Sequence, residues 1–247
     1  MDLGLTGKRA AVAAASAGLG YAAAEALAAE GALVAICGRD RGRIDDAAAR
    51  IGRGAVALVC DVSTTAGGTA FARAATDALG GIDILVANGG GPSPGTFTST
   101  PLDAYAGALE LSLTSVVAMC KGAVPAMQER GWGRVVAITS IAVRQPIPNL
   151  ILSNTARAGV TGFLKTLARE VAKDGVTVNS LQPGLHATDR VRQLYPDGQA
   201  SAAGIPAGVI GDPADFGAAV AFLCAQQAGY ITGAHLLVDG GAYSGLL

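Results

Sequence analysis

The stretch AAVAAASAGLGYAAAEAL, residues 10–27, joins a short apolar run to an alanine-rich segment through a turn that contains Gly18 and Gly20. The apolar run predicts a buried strand, and the alanine-rich segment predicts a helix from Leu19. Glycines at the turn permit close backbone approach, and the helix N-terminus offers free N–H groups and a positive dipole end. The stretch is therefore typical of a strand-turn-helix that binds the pyrophosphate of a dinucleotide.

The same alternation of strand and helix continues along the chain. Seven apolar runs are typical of strands buried on both faces: Ala10–Ala14, Leu33–Cys37, Val56–Val59, Ile84–Ala87, Val135–Thr139, Thr177–Leu181 and His235–Val238. Helices are predicted between most of them: Leu19–Glu30, Arg41–Ile51, Phe71–Leu79, Leu102–Glu129, Ala156–Lys173 and Pro213–Ala225. This order predicts an α/β fold over residues 1–247: one domain with a doubly wound, Rossmann-type parallel sheet of seven strands and helices on both faces.

Charge and composition exclude several classes of partner. The chain has 247 residues, with 18 Lys and Arg against 19 Asp and Glu, so we expect no nucleic-acid partner. Its apolar runs are broken before the roughly 20 residues that a bilayer needs, and its N-terminus lacks a signal-peptide pattern. We therefore expect a cytoplasmic protein with no membrane partner. The cysteines lack metal-ligand spacing and are expected to be buried thiols, with no metal site: Cys37, Cys60, Cys120 and Cys224.

The end of the second predicted strand indicates which dinucleotide fits. A carboxylate there would bind the ribose 2′-hydroxyl of NAD(H), whereas this chain has Gly38 followed by Arg39. The guanidinium favours a 2′-phosphate and hence NADP(H) over NAD(H). The alternative is a solvated Arg39 paired with Asp40. Asp61, after the third strand, is a candidate acceptor for the adenine amino group or simply a capping or turn residue.

Together these motifs resemble the short-chain dehydrogenase/reductase family, especially its 3-oxoacyl-carrier-protein reductases, over essentially the whole chain. The matching segments are Gly18-Leu19-Gly20, Cys60-Asp61-Val62, Val86-Ala87-Asn88-Gly89-Gly90, Gly133-Arg134-Val135-Val136, Val178-Asn179, Pro183-Gly184, Ile231-Thr232-Gly233 and Val238-Asp239-Gly240-Gly241. The resemblance implies NAD(P)(H) binding, a small-molecule substrate and a cytoplasmic homotetramer or homodimer. The expected cofactor-binding residues are Ser16, Gly18, Leu19, Gly20, Arg39, Asp61, Val62, Asn88, Gly90, Arg157, Pro183, Gly184 and Thr188.

The catalytic motif departs from the family pattern. The family's serine falls on Ser140, but its tyrosine thirteen residues later falls on Ser153, and its lysine four residues further on falls on Arg157. The family's helix asparagine falls on Ser112. In the phosphate turn, Ala13 and Ala14 replace the family's Thr and Gly.

These departures change the expected proton donor. A serine hydroxyl has a pKa about 5 units above that of tyrosine, so Ser153 cannot replace the family's acid by simple substitution. His186 follows the segment that borders the nicotinamide in the family, and histidine suits proton transfer near neutral pH. The alternative is a loop histidine satisfied by backbone groups. Tyr105 and Tyr195 are further candidates.

Ser153 and Arg157 also have a structural interpretation, as ordinary helix residues with Ser153 capping a helix that begins at Asn154. We therefore expect an NADP(H)-dependent oxidoreductase with an altered active site, in which Ser140 and Arg157 position the substrate oxygen and the ribose. The rival hypothesis is an NADP(H)-binding sensor or partner subunit without turnover. A third hypothesis, another nucleotide ligand, fits the Gly38-Arg39 pair less well. The irregular loop around 185–211 is expected to select the substrate.

Overall fold

The computed structural model describes residues 1–195 and 201–246, and its centre is a seven-stranded parallel sheet. The strands are β1 Arg9–Val12, β2 Leu33–Gly38, β3 Val56–Val59, β4 Ile84–Ala87, β5 Gly133–Ile138, β6 Val176–Pro183 and β7 His235–Val238. Their order is β3-β2-β1-β4-β5-β6-β7, so the chain reverses direction across the sheet between β1 and β4. The predicted doubly wound Rossmann-type sheet is confirmed, and the reversal creates a crevice at the carboxyl ends of the strands.

Helices cover both faces of the sheet. They are α1 Gly18–Ala29, α2 Arg41–Ile51, α3 Thr65–Leu79, α4 Ala104–Leu109, α5 Ser115–Glu129, α6 Ile151–Val171, α7 Asp189–Leu194 and α8 Pro213–Cys224. One face has a core formed with α1, α2 and α8, which includes Leu27, Ile44 and Phe216. The other has a core formed with α3, α5 and α6, which includes Phe71 and Leu164. The sheet is therefore enclosed between two apolar layers.

Two predicted helix starts were wrong. Helix α3 begins at Thr65, not at Phe71, because the Thr64 side chain accepts a hydrogen bond from the Gly67 backbone N–H at 3.0 Å. Helix α6 begins at Ile151. Ser153 therefore lies within the first turn of α6 and does not cap a helix that begins at Asn154.

The predicted helix Leu102–Glu129 forms as two α-helices joined by a π-helical segment. Helices α4 and α5 are continuous through Glu110–Thr114, which places Ser112 in the π segment. This joined helix, Ala104–Glu129, is long and apolar enough to span a membrane by length and composition, contrary to the expectation of interrupted apolar runs. Half of its apolar window is buried inside the fold, as in the core helix of a globular domain.

The four cysteines are free thiols. Cys37, Cys120 and Cys224 are buried, and burial raises the pKa of each to about 12. Cys60 is half-buried, and burial raises its pKa as well. The thiols therefore behave as small apolar side chains at neutral pH.

The turn after β1 holds an alanine in the left-handed backbone region. Ala14 has a φ of 47°, at the position where the resemblance places a glycine. Its backbone N–H lies 3.4 Å from the Cys37 Sγ, and its carbonyl oxygen accepts a hydrogen bond from the Asn88 amide at 3.1 Å. A left-handed conformation costs an L-residue roughly 1–2 kcal/mol. The surrounding contacts therefore hold the turn in a conformation that its own residue disfavours.

We expect the Ala14→Gly variant to raise the free energy of unfolding by about 1 kcal/mol, because glycine adopts a positive φ without steric cost. Urea denaturation monitored by circular dichroism measures this change. Ala13→Gly is the matched control: Ala13 is fully buried and is not among the residues with positive φ, so this variant should lower stability. Equal destabilisation by both substitutions would contradict the assigned strain.

Candidate functional site

A cleft of about 860 Å³ opens at the carboxyl ends of the strands. This volume lies within the range of small-molecule and cofactor sites, roughly 300–1,000 Å³. Every predicted site residue except Ser112 and the candidate Tyr105 lines it: Ser16, Gly18, Leu19, Gly20, Arg39, Asp61, Val62, Asn88, Gly90, Ser140, Ser153, Arg157, Pro183, Gly184, His186, Thr188 and Tyr195. The fold therefore brings both halves of the predicted site, from distant parts of the chain, into one cleft.

The turn between β1 and α1 forms one wall of the cleft. Helix α1 begins at Gly18 without a side-chain cap, and among the described residues no side chain makes a hydrogen bond to its first N–H groups. A Cβ on Gly20 would lie 2.7 Å from the Ala14 carbonyl oxygen and 2.6 Å from the Asn88 Nδ2. Glycine is therefore required where α1 approaches β1. Thr188 faces this turn, since a Cβ on Gly18 would lie 3.6 Å from its Cγ2.

The end of the cleft beside β2 carries two guanidinium groups, because Arg43 lines it together with Arg39. Arg43 was missed by sequence reasoning, although it lies one helical turn beyond Arg39. The Asp40 carboxylate caps α2 by accepting from the Arg43 backbone N–H at 2.8 Å, and no ion pair between Arg39 and Asp40 forms in the described chain. The alternative that pairs these two residues is therefore not observed.

Asp61 forms the turn after β3, where its carboxylate accepts from the Ser63 N–H at 3.0 Å. Burial opposes ionisation, but hydrogen bonds from Ser63 and the charge of Arg39 together lower the pKa of Asp61. Asp61 is thus a turn residue, as one of the two interpretations expected, and it also lines the cleft. It remains ionised and able to accept hydrogen bonds at neutral pH.

The opposite end of the cleft, beside β5, contains the three polar residues of the altered motif. Ser140 precedes the short helical turn Ile141–Val143, and its Oγ accepts from the Ala142 N–H at 3.1 Å. Ser153 is 8% exposed and lines the cleft from α6. One turn further along α6, Arg157 donates from Nη1 to the Ile138 carbonyl oxygen at 3.1 Å.

The guanidinium of Arg157 is desolvated. Burial, together with the nearby positive charge of Arg190, lowers the pKa of Arg157 to about 10. The group therefore stays cationic at neutral pH and cannot serve as a proton donor under those conditions. Arg190 also lines the cleft and was missed by sequence reasoning. Its position depends on the fold of α7, which no local signal in the loop 185–211 predicted.

Ser112 lies behind the main cleft, beside a separate small cavity of about 10 Å³ that Asn88 and Arg157 also line. The Ser112 Oγ is buried, and no group in the described residues makes a hydrogen bond to it. Such a volume is close to the minimum for one water molecule. The cavity at Ser112, the position where the resemblance places an asparagine, is therefore also lined by Arg157.

His186 lines the cleft but is mostly engaged by its surroundings. It is 4% exposed, its Nδ1 lies 3.3 Å from the Gly184 carbonyl oxygen, and its ring meets the Phe216 ring edge to face at 5.2 Å. These contacts agree with the alternative of a loop histidine satisfied by backbone groups. Of the two tyrosine candidates, Tyr195 lines the cleft, whereas Tyr105 does not.

The residues present fit a dinucleotide phosphate. A pyrophosphate requires hydrogen-bond donors, and the uncapped start of α1 supplies them close to β1, where only glycine fits at position 20. The two guanidiniums at the β2 end supply the donors that a 2′-phosphate requires. The fold and cleft are those of a dinucleotide-binding domain.

Comparison with known proteins identifies the family. A family model described as enoyl-(acyl carrier protein) reductase matches residues 13–243. The 3-oxoacyl-(acyl-carrier-protein) reductase FabG of Vibrio cholerae is 35% identical over 242 residues, which cover 98% of this chain and 99% of that protein. The chain therefore belongs to the short-chain dehydrogenase/reductase family of oxidoreductases.

Two solved structures match the whole fold. L-sorbose reductase from Gluconobacter frateurii, complexed with NADPH and L-sorbose, has a TM-score of 0.93 and 31% identity, with complete coverage of both chains. An NADPH-bound short-chain oxidoreductase from Pseudomonas aeruginosa PAO1, described as containing an atypical catalytic center, has a TM-score of 0.89 and 32% identity. That match covers 97% of this chain and 99% of the other.

The burial of His186 predicts a pH-dependent stability. Burial lowers the pKa of His186 below its ordinary value, so the unfolded chain takes up a proton there at a higher pH than the folded chain. Stability is then present at neutral pH and is lost as the pH falls through about 6.5 towards the folded pKa. We expect a loss of up to about 1.4 kcal/mol per pH unit from this group.

Urea denaturation at about pH 7.5 and about pH 5.5 measures the loss, and His186→Gln should make it smaller. The pKa of His235 is also lowered by burial, and then by the charges of Lys165 and Arg144. His235→Gln is therefore a matched comparison, and it should remove a separate part of the stability loss between the two pH values. An unchanged pH dependence in His186→Gln would show that His186 is not held neutral by the fold.

Proposed function

We propose that the protein is an NADP(H)-dependent oxidoreductase that interconverts a carbonyl and an alcohol with an altered active site. The observation that carries the proposal is the single cleft with a phosphate-binding turn, the two guanidiniums of Arg39 and Arg43 at one end, and Ser140 with Arg157 at the other. The substrate class is a 3-oxoacyl thioester or another small ketone. A cytoplasmic homotetramer or homodimer is the proposed working form.

The proposed roles follow the length of the cleft. Gly18, Leu19 and Gly20 receive the pyrophosphate at the start of α1, and Arg39, Arg43 and Ser16 receive the 2′-phosphate. Val62, Asn88 and Gly90, with Asp61, border the adenosine half. Pro183, Gly184 and Thr188 border the nicotinamide half. When bound, NADPH supplies the hydride for carbonyl reduction.

The chain's own contribution at the reacting end is orientation and electrostatics. The hydroxyl of Ser140 donates a hydrogen bond to the substrate oxygen. Arg157 is cationic and fixed by its bond to the Ile138 carbonyl, so it stabilises negative charge that develops on that oxygen and also holds the ribose. A preorganised charge in a desolvated site acts without reorganisation during the reaction.

Proton delivery is the step that the altered motif changes most. Neither the Ser153 hydroxyl nor Arg157 is acidic enough to protonate the oxygen during hydride transfer, so the oxygen is first held as an anion by Arg157. An alkoxide is about as basic as hydroxide, so we assign the proton to a water molecule in the cleft, which leaves as hydroxide. The cavity between Ser112 and Arg157, which is separate from the cleft, has room for about one further water molecule. His186 is the alternative donor, and a His186→Gln variant that binds NADPH but has lost turnover would relocate the acid to it.

Similarity supports both cofactor and chemistry. The Gluconobacter frateurii structure contains NADPH and L-sorbose, a ketose, and the Pseudomonas aeruginosa structure combines NADPH with an atypical catalytic center. The second case shows that an unusual catalytic centre on this fold is compatible with NADPH binding. The second candidate function, an NADP(H)-binding sensor or partner subunit without turnover, is favoured only by Ser153 at the position of the family's acid.

Arg39 should determine the cofactor preference. We expect Arg39→Ala to weaken NADPH binding by about 10-fold and to leave NADH binding largely unchanged, because an exposed charge-assisted hydrogen bond to the 2′-phosphate is lost. Fluorescence titration with each cofactor measures both affinities. Arg41→Ala is the control, since Arg41 pairs with Asp45 at 3.9 Å and does not line the cleft. Equal losses of affinity for NADPH and NADH in Arg39→Ala would contradict the assignment of Arg39 to the 2′-phosphate.

Restoring the family's residues should accelerate turnover. We expect the variant with both Ser153→Tyr and Arg157→Lys to raise kcat for ketone reduction by about 10²–10⁴-fold, because a positioned general acid is added. Ser153→Ala should leave turnover unchanged, and Ser140→Ala should lower it. The assay follows loss of NADPH absorbance over a panel of ketones and 3-oxoacyl thioesters. Tight NADPH binding without turnover across that panel would favour the sensor or partner subunit.

A further inference from the structure

Arg190 is a cleft residue that none of the roles above uses. It lies on α7, two residues beyond Thr188, and its Nη2 donates to the Pro92 carbonyl oxygen at 2.9 Å. A Cβ on Gly91 would lie 2.8 Å from that Nη2 and 3.2 Å from both the Cζ and the Nε, so the guanidinium packs directly on the glycine backbone. Because Gly91 has no side chain, the Arg190 guanidinium can pack against its backbone.

The second feature is the charge environment. Arg190 lies close enough to Arg157 to lower the pKa of that group, and burial lowers the pKa of Arg190 itself. Within residues 1–195 and 201–246 neither guanidinium has a carboxylate at ion-pair distance, and the adjacent Asp189 pairs with Arg192 instead. Two partly buried like charges repel each other, and their pairing with an anion offsets that repulsion.

The donors left over match such an anion. A guanidinium has five N–H donors, and the hydrogen bonds found in the described chain use one on Arg157, to Ile138, and one on Arg190, to Pro92. Both side chains line the same cleft as Ser140 and Ser153. Planar forks of donors bind carboxylate and phosphate oxygens in bidentate geometry.

We infer that Arg190 and Arg157 together bind an anionic oxygen group in the cleft, and that Arg190 is a specificity-determining residue. The anion has two sources with the same chemistry: the diphosphate of the cofactor, since Thr188 already faces the phosphate turn, or a carboxylate or phosphate carried by the carbonyl substrate. The inference rests on the proposed cofactor site. It adds that the ligand of Arg190 is an anion.

The test uses binding, so that it is independent of turnover. Calorimetry measures NADPH binding to the full chain. It then measures binding of acetoacetate, with neutral methyl acetoacetate as its uncharged counterpart, to protein loaded with NADP⁺, which carries no hydride to transfer to the ketone. Arg190→Gln should lower the affinity for one of the two anions by about 10- to 100-fold, and Arg190→Lys should lower that affinity less. Arg192→Gln is the matched control, because Arg192 is on the same helix, is exposed and does not line the cleft.

The outcomes separate the sources. Weaker NADPH binding in Arg190→Gln assigns the anion to the cofactor diphosphate. Unchanged NADPH binding with weaker acetoacetate binding, and no change for methyl acetoacetate, assigns it to an acidic substrate. Unchanged affinity for both anions overturns the inference. Failure of wild-type protein to bind NADPH would instead overturn the proposed function, and wild-type binding of NADPH without turnover would leave the Arg190 result interpretable.

Discussion

The position of helix α1 depends on one backbone contact, the approach of Gly20 to the carbonyl of Ala14. A side chain at Gly20 would overlap that oxygen and the Asn88 amide, so only glycine lets the helix begin directly beyond β1. The uncapped N–H groups of α1 then face the crevice where the sheet order reverses. The proposed phosphate-binding turn, adenosine end and reacting end are all arranged along that crevice, so their relative positions depend on this contact.

The two ends of the cleft have changed in different degrees relative to the family pattern. The phosphate turn keeps its geometry even though Ala14 occupies a left-handed conformation, because contacts from Cys37 and Asn88 hold it. At the proposed reacting end, Ser153 and Arg157 occupy the positions where the resemblance places the family's tyrosine and lysine. Arg157 is a charge near Arg190 that is retained at neutral pH. A site of this composition is suited to stabilising negative charge, and it leaves proton transfer to another group.

Sequence reasoning predicted the sheet well because its central parallel strands are continuous apolar runs, as at the fully buried Ile84–Ala87. It also named residues that line the cleft, most of them through the resemblance to the family, and these residues meet because the carboxyl ends of parallel strands share one edge. It missed the start of α3, which depends on the Thr64 cap, and that of α6. It also missed Arg190, whose seat on Gly91 and Pro92 joins segments 98 residues apart. Contacts of that separation are set by the fold and leave no local pattern.

The most direct measurement is a crystal structure of the protein grown with NADPH. We expect density for the diphosphate at Gly18 and Gly20, for the 2′-phosphate beside Arg39 and Arg43, and for the nicotinamide at the end that holds Ser140 and Arg157. NADPH bound elsewhere, or in the reverse direction along the cleft, would contradict it. So would an empty cleft at a saturating NADPH concentration in crystals whose lattice leaves the cleft open.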